Sequence, residues 1–145
     1  MKKTIIILSG GFDPVHKGHV KMFQAAKDYP AEVIVGLNSD SWLTRKKGKP
    51  FMDWEERKEI LMAMSCIDEV CSFNDDDDSA CDLIRAVSEK YSNNEVNICF
   101  GNGGDRTNSN SPEVEYCNGN DIELLWGVGG GKIQSSSDLI KHSKK

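Results

Sequence analysis

The chain has 145 residues, 38% of them hydrophobic and 28% charged, and a formal net charge of −5. That length suits one domain over residues 1–145, because two would each be starved of core, and the balance excludes a wholly disordered chain. The longest apolar runs, Ile5–Leu8 and Val33–Val35, fall far short of the ~20 residues of a membrane span, and the acidic balance argues against nucleic acid as a partner. Met1-Lys2-Lys3 has the charge of a secretion signal, but the apolar stretch behind it stops at Ser9-Gly10-Gly11, too short for one. Cys66, Cys71, Cys81, Cys99 and Cys117 form no C-x-x-C pair and are odd in number, which points to reduced thiols and a cytoplasmic setting.

In chain order, Thr4–Ser9 is a β-branched run bounded by glycines and predicts a buried strand. Gly18–Asp28, apolar at Val20, Phe23, Ala25 and Ala26 with Pro30 just beyond, predicts a helix. Glu32–Leu37 predicts a second strand, and Arg45–Lys49 a short basic loop. Asp53, with Glu56 three residues on, forms a capping-box pair for a helix whose core face holds Ile60, Leu61 and Met64. Asp68–Phe73 predicts a third strand, Asn74–Ser79 a solvated acidic turn, and Ala80–Tyr91 a helix with Leu83, Ile84 and Val87 inward. Glu95–Phe100 predicts a fourth strand, residues 101–112 a polar glycine-rich loop, and Glu113–Cys117 a helical turn. Ile122–Trp126 predicts a fifth strand and Asp138–Lys144 a closing helix. This alternation predicts an α/β fold: a single Rossmann-like domain with a five-stranded parallel sheet and helices on both faces.

Ligands of such sheets bind beyond the carboxyl ends of the strands. The loops there hold Asp13, His16, His19, Lys46, Lys47, Asp105, Arg106, Lys132 and Ser135–Ser137. The segment Gly10–His19 joins the first strand to the first helix. Its glycines let backbone approach a ligand, and the helix start offers unpaired N–H groups to an anion. His16 and His19 straddle Gly18, so both imidazoles can face one pocket and donate to phosphate oxygens. A metal site is the weaker reading, because no third Cys or His stands nearby. Neither a phosphate-binding G-x-x-x-x-G-K-[ST] pattern nor a G-x-G-x-x-G pattern follows the first strand. Asp75–Asp78 lacks the glycine and closing glutamate of a calcium loop, and Trp42, Trp54 and Trp126 read as core or subunit interface.

Gly11-Phe12-Asp13-Pro14-Val15-His16-Lys17-Gly18-His19 resembles the H-x-G-H signature of the cytidylyltransferase-like nucleotidylyltransferases, in the place where that family carries it. Asn38-Ser39-Asp40, Lys47-Gly48-Lys49-Pro50, Arg57 and Asp68-Glu69-Val70 are similar to two subgroups, the heptose 1-phosphate adenylyltransferases and the glycerol 3-phosphate cytidylyltransferases. Gly104-Asp105 matches their G-D element, and Ser135-Ser136-Ser137 resembles their late S-T-T motif.

The resemblance implies transfer of a nucleoside monophosphate from a triphosphate to a phosphorylated acceptor, with Mg2+ carried by the triphosphate and a homodimeric assembly. It implies catalytic roles for His16, His19 and either Lys46 or Lys47, with Lys46 preferred; read alone, that basic run is a solvated loop. The implied nucleotide-binding set is Gly10, Gly11, Phe12, Asp13, Gly18, Lys47, Gly104, Asp105, Arg106, Lys132, Ser135, Ser136 and Ser137. Asp13 would support the magnesium nucleotide or hold the loop's shape. Asp40 would bind acceptor hydroxyls or end its strand. Arg57 would meet an acceptor phosphate or serve as a structural ion-pair partner.

Arg106 stands where the subgroups carry an aromatic residue, and Gly127–Gln134 lacks the arginine that usually precedes the S-T-T motif. These departures leave nucleobase and acceptor open. They also keep a second reading in view, a nucleotide-binding or regulatory module without turnover. A nucleotide-like acceptor, such as nicotinamide mononucleotide or a pantetheine phosphate, is a weaker third.

Overall fold

The computed structural model describes residues 3–28, 31–91, 96–103, 112–120 and 122–128. Along the chain run β1 (Lys3–Gly10), α1 (Lys17–Asp28), β2 (Glu32–Leu37), α2 (Asp40–Lys47) and α3 (Trp54–Met62). Then follow β3 (Glu69–Cys71), α4 (Cys81–Lys90), β4 (Val96–Gly103), α5 (Pro112–Gly119) and β5 (Glu123–Val128). The five strands form one parallel sheet in the order β3-β2-β1-β4-β5. That order reverses direction between β1 and β4, and open sheets of this kind bind ligands at such a switch point, beyond the carboxyl ends of the strands. The sequence expectation of a five-stranded parallel Rossmann-like sheet is met.

β1 shows why both faces need covering. Ile5 and Ile7 point to one side and Ile6 and Leu8 to the other, each at 0–1% exposure. Ile6, Leu8, Val33 and Val35 pack with Phe23 and Ala26 of α1 and Leu61 of α3. Ile5, Ile7 and Ile34 pack with Leu83, Ile84 and Val87 of α4 and with Cys117 of α5. Consecutive residues of a strand alternate sides, so a run of aliphatics without polar interruption can only be buried twice over.

Three elements depart from expectation. Arg45–Lys47 lie within α2 and not in a loop: Ser39 caps the helix by accepting from Trp42 N, and Gly48 ends it at φ +89°, a conformation that suits glycine. Ile60 is 41% exposed, because α3 turns Arg57 and Leu61 inward. Asp75, in the supposedly solvated acidic turn, is buried. The capping box of α3 forms as the sequence predicts: Asp53 accepts from Glu56 N at 2.9 Å and Glu56 accepts from Asp53 N. The predicted closing helix lies outside the described residues.

Candidate active site

The loop after β1 is shaped by what surrounds it. A Cβ on Gly10 would meet the Phe12 ring at 2.9 Å, and one on Gly11 would meet Leu43 at 2.9 Å and Trp42 at 3.3 Å. Only bare backbone therefore fits between the loop and α2. Phe12 takes φ +50° and buries its ring, which meets His19 edge-on at 4.8 Å between centroids and Phe23 at 5.3 Å. Of the predicted nucleotide contacts, Phe12 thus has its side chain in the core.

His16 and His19 stack, with centroids 3.6 Å apart and planes 20° from parallel. Nδ1 of His16 accepts from Gly18 N at 3.1 Å and from His19 N at 3.4 Å, and Nδ1 of His19 accepts from His16 N at 3.2 Å. A ring nitrogen that accepts from an amide carries no proton, so in each neutral ring the proton sits on Nε2. Burial lowers the pKa of His16. Burial, joined by the neighbouring imidazole of His16, lowers that of His19 to about 3. Both rings are therefore held neutral, each with a donor on Nε2.

Asp13 is committed within the protein. Its side chain is 2% exposed; Oδ2 accepts from Phe51 N at 2.6 Å and Oδ1 from Met52 N at 2.7 Å. Lys47 Nζ lies 2.8 Å from Oδ2 and also donates to the Asp13 carbonyl at 2.8 Å. Burial alone would raise the pKa of this carboxyl, but the Lys47 bond and the two amides outweigh it and hold the group below its ordinary value. Of the two alternatives for Asp13, shaping the loop is the role its contacts fill. Lys47, and not the preferred Lys46, is the lysine that touches the histidine loop; Lys46 lies over the Trp42 ring, 5.4 Å from its centroid.

Arg57 is fully buried. Nε donates to Met52 O at 3.1 Å, Nη1 to Gly11 O at 2.9 Å and Asn38 O at 2.8 Å, and Nη2 to Asp40 Oδ1 at 2.6 Å. It thus ties together the ends of β1 and β2 and the start of α2 and α3. The ion-pair reading fits this environment, and no part of the guanidinium is exposed to meet a phosphate. Asp40 keeps its side chain 46% exposed beyond that pair.

Sequence reasoning missed Asp75. Its Oδ2 accepts from Asn38 Nδ2 at 3.0 Å and Ser39 N at 2.8 Å, and its Oδ1 from Ser39 Oγ at 2.8 Å. Burial would raise its pKa, but these three donors, with Arg45 nearby, lower it. Gly104, Asp105, Arg106, Lys132, Ser135, Ser136 and Ser137 lie outside the described residues. Among the described residues, no three His, Cys, Asp or Glu side chains gather as a metal-holding group, and both oxygens of Asp13, within the histidine loop, already have partners.

Sheet order and histidine loop place the chain among α/β proteins that hold ligands at the carboxyl ends of parallel strands. Within that class it belongs to the cytidylyltransferase-like family of nucleotidyltransferases, whose model matches residues 7–106. The bifunctional protein HldE of Pelobacter propionicus is 33% identical over 143 residues, covering 96% of this chain and 27% of that protein. The bifunctional protein HldE of Geobacter metallireducens is 46% identical over 76 residues, covering 51% of this chain and 16% of that protein. The chain thus spans between a sixth and about a quarter of the length of these curated relatives.

Two solved structures share the fold at 16% identity. The lipopolysaccharide core biosynthesis protein of Thermoplasma volcanium superposes with a TM-score of 0.61 over 86% of this chain and 93% of that one. The bifunctional NMN adenylyltransferase/ADP ribose pyrophosphatase of Francisella tularensis gives 0.64 over 99% of this chain and 43% of that one.

Proposed function

We propose that this chain transfers a nucleoside monophosphate from CTP or ATP to a phosphorylated sugar or polyol, of the glycerol 3-phosphate or heptose 1-phosphate type, and releases pyrophosphate. The observation that carries this reading is the His16–His19 stack, whose Nδ1 atoms are turned onto backbone amides so that each neutral ring has its donor on Nε2. An oxygen of the acceptor phosphate forms a bond to the α-phosphorus. The bond from that phosphorus to the bridging oxygen breaks, and pyrophosphate leaves with the electron pair. The acceptor is already an anion at neutral pH, so the reaction needs no general base; it needs alignment and donors where charge gathers.

In this reading the two Nε2–H groups meet the α-phosphate and departing pyrophosphate. Lys47 exchanges Asp13 for a phosphate, and Asp40 meets the acceptor. Magnesium arrives with the triphosphate, which carries it. The working form is a cytoplasmic homodimer with no nucleic-acid partner.

The test is pyrophosphate release across CTP, ATP, UTP and GTP against glycerol 3-phosphate and heptose 1-phosphate, with magnesium. Turnover in one pairing is expected, and His16→Ala or His19→Ala should lower it by about 100-fold or more, the scale of a lost charge-stabilising donor. Undiminished turnover in both variants would remove the reading. Silence in every pairing, with a thermal shift on adding triphosphate, would mark a binding module without turnover.

A further inference from the structure

We infer that Asp75, in the loop after β3, is a positioning residue for the phosphate site: its carboxylate and carbonyl fix α2, and with it Lys47, against the histidine loop. This rests on the nucleotidyl-transfer reading above. Asp75 is 2% exposed, while its neighbours Asp76, Asp77 and Asp78 are exposed. A carboxylate is costly to bury unless every lone pair is used, so its retention here calls for a reason. Its three donors all come from the two residues that open α2, Asn38 and Ser39. Ser39 Oγ, which donates to Asp75, is also the atom that accepts from Trp42 N at 3.0 Å and caps the helix. The carbonyl of Asp75 accepts from Arg45 Nη2 at 2.7 Å, six residues beyond Ser39 on α2, and the same guanidinium reaches Asp78 Oδ1 at 3.0 Å.

One residue therefore grips α2 at its start and along its side, and the helix ends on Lys47, paired with Asp13. A second route runs through Asn38, whose N donates to Gly10 O at 3.0 Å and whose carbonyl accepts from Arg57, the residue that also holds Gly11 O. The partners of the Asp75 carboxylate, Asn38 and Ser39, stand apart from the two hydrophobic clusters, in the segment that borders the site.

Asp75→Asn keeps the size but removes the charge: with its amide oxygen toward Asn38 Nδ2 and Ser39 N, its NH2 meets Ser39 Oγ, which must turn from donor to acceptor, and in the other orientation the NH2 faces both N–H donors. The experiment is a double-mutant cycle with wild type, Asp75→Asn, Lys47→Ala and the double variant. It reads affinity for CTP and ATP with magnesium, kcat and KM for pyrophosphate release, and the unfolding midpoint. Asp75→Asn should weaken triphosphate binding by about tenfold or more in the wild type, since a displacement of about 1 Å in such a site costs on the order of 100-fold. In the Lys47→Ala background the same change should cost less than about threefold, because the group it positions is gone. Effects that multiply in full would overturn the inference, whatever happens to the midpoint. Should Asp75→Asn fail to fold, Asn38→Ala, which removes one donor to Oδ2 and leaves the Ser39 cap of α2 in place, takes its place in the cycle with the same expectation. Wild type that binds no triphosphate overturns the nucleotidyl-transfer reading and this inference together, whereas wild type that binds with multiplying effects overturns this inference alone.

Discussion

Replacing Arg57 with methionine fills much of its volume and removes every bond it makes. The carbonyls of Met52, Gly11 and Asn38 and the carboxylate of Asp40 lose their donor at once. Each orphaned acceptor costs about 1–3 kcal/mol when water cannot reach it. The sum is not the expectation, because Asp40 is half exposed and Met52 and Gly11 are partly so. Breaking a buried pair from one side typically costs about 3–5 kcal/mol, which is a large share of the ~5–15 kcal/mol that holds a domain folded. At roughly 3 °C per kcal/mol for a chain of this size, Tm falls by about 10–15 °C. Thermal unfolding followed by circular dichroism reads this directly. Arg57→Lys should recover less than half of the loss, because one ammonium cannot span a fork of four acceptors. The loss should persist in 0.5 M salt, where an exposed pair would be screened, at about 4 Å Debye length. A drop of less than about 3 °C, or one abolished by salt, would refute the view of Arg57 as the tie between the loop ends.

The histidine stack carries a pH signature. His19 has a folded pKa of about 3 against 6.5 for the free side chain, so the unfolded chain binds the extra proton between those values. Its contribution to stability is complete above pH 6.5 and declines as pH falls toward 3; His19→Gln should flatten that slope in urea titrations, and a signal assigned to the His19 imidazole that titrates near 6.5 would contradict it. Gly36→Ala places a Cβ inside ordinary contact with both Leu83 Cδ atoms and 2.9 Å from Cγ, so either Leu83 turns aside or α4 shifts off the sheet. Overpacking of this kind costs about 1–3 kcal/mol in denaturant unfolding, and a neutral outcome would mean Leu83 can rotate away freely. Asp53→Ala removes the α3 cap and should cost about 1 kcal/mol, with Asp53→Ser recovering most of it in the same assay.

The sheet was legible because its strands leave the chain no other option. Ile5–Leu8 and Glu32–Leu37 are short aliphatic runs that bury both faces, and their spacing around helical segments dictates parallel pairing. The capping box at Asp53 and Glu56 is equally local: two side chains three residues apart satisfy each other's backbone whatever surrounds them. α2 was hidden by its charge. Arg45-Lys46-Lys47 looks like solvated loop, yet Ser39 stands at one end as an N-cap and Gly48 at the other as a terminator, which together delimit a helix. The inward face of α3 was misjudged at Ile60 for a related reason. Patterning assumes that the apolar side chain faces in, whereas here Arg57 takes the inward position beside Leu61 and rotates the stripe.

The site divides along the same line. The half proposed to meet the ligand, the paired imidazoles after β1, is a contiguous motif whose geometry follows from one turn, so nine residues of sequence carry it. Its supporting half is built by charges that meet only after folding: Asp13 with Lys47 and the amides of Phe51 and Met52, Arg57 with the carbonyls of Gly11 and Asn38, Asp75 with Ser39. The partners are separated by between 19 and 46 positions. An aspartate in a run of four has no local mark to separate the buried member from the solvated ones. The difference is made by β3 pairing with β2, which carries the following loop to the end of the neighbouring strand, beside two amino acids whose donors are unspent. Burial of these charges is possible because each one's partners arrive from a different loop at the same edge of the sheet. The hydrogen bonds that make the carboxylates affordable are therefore the ones that hold the site in register.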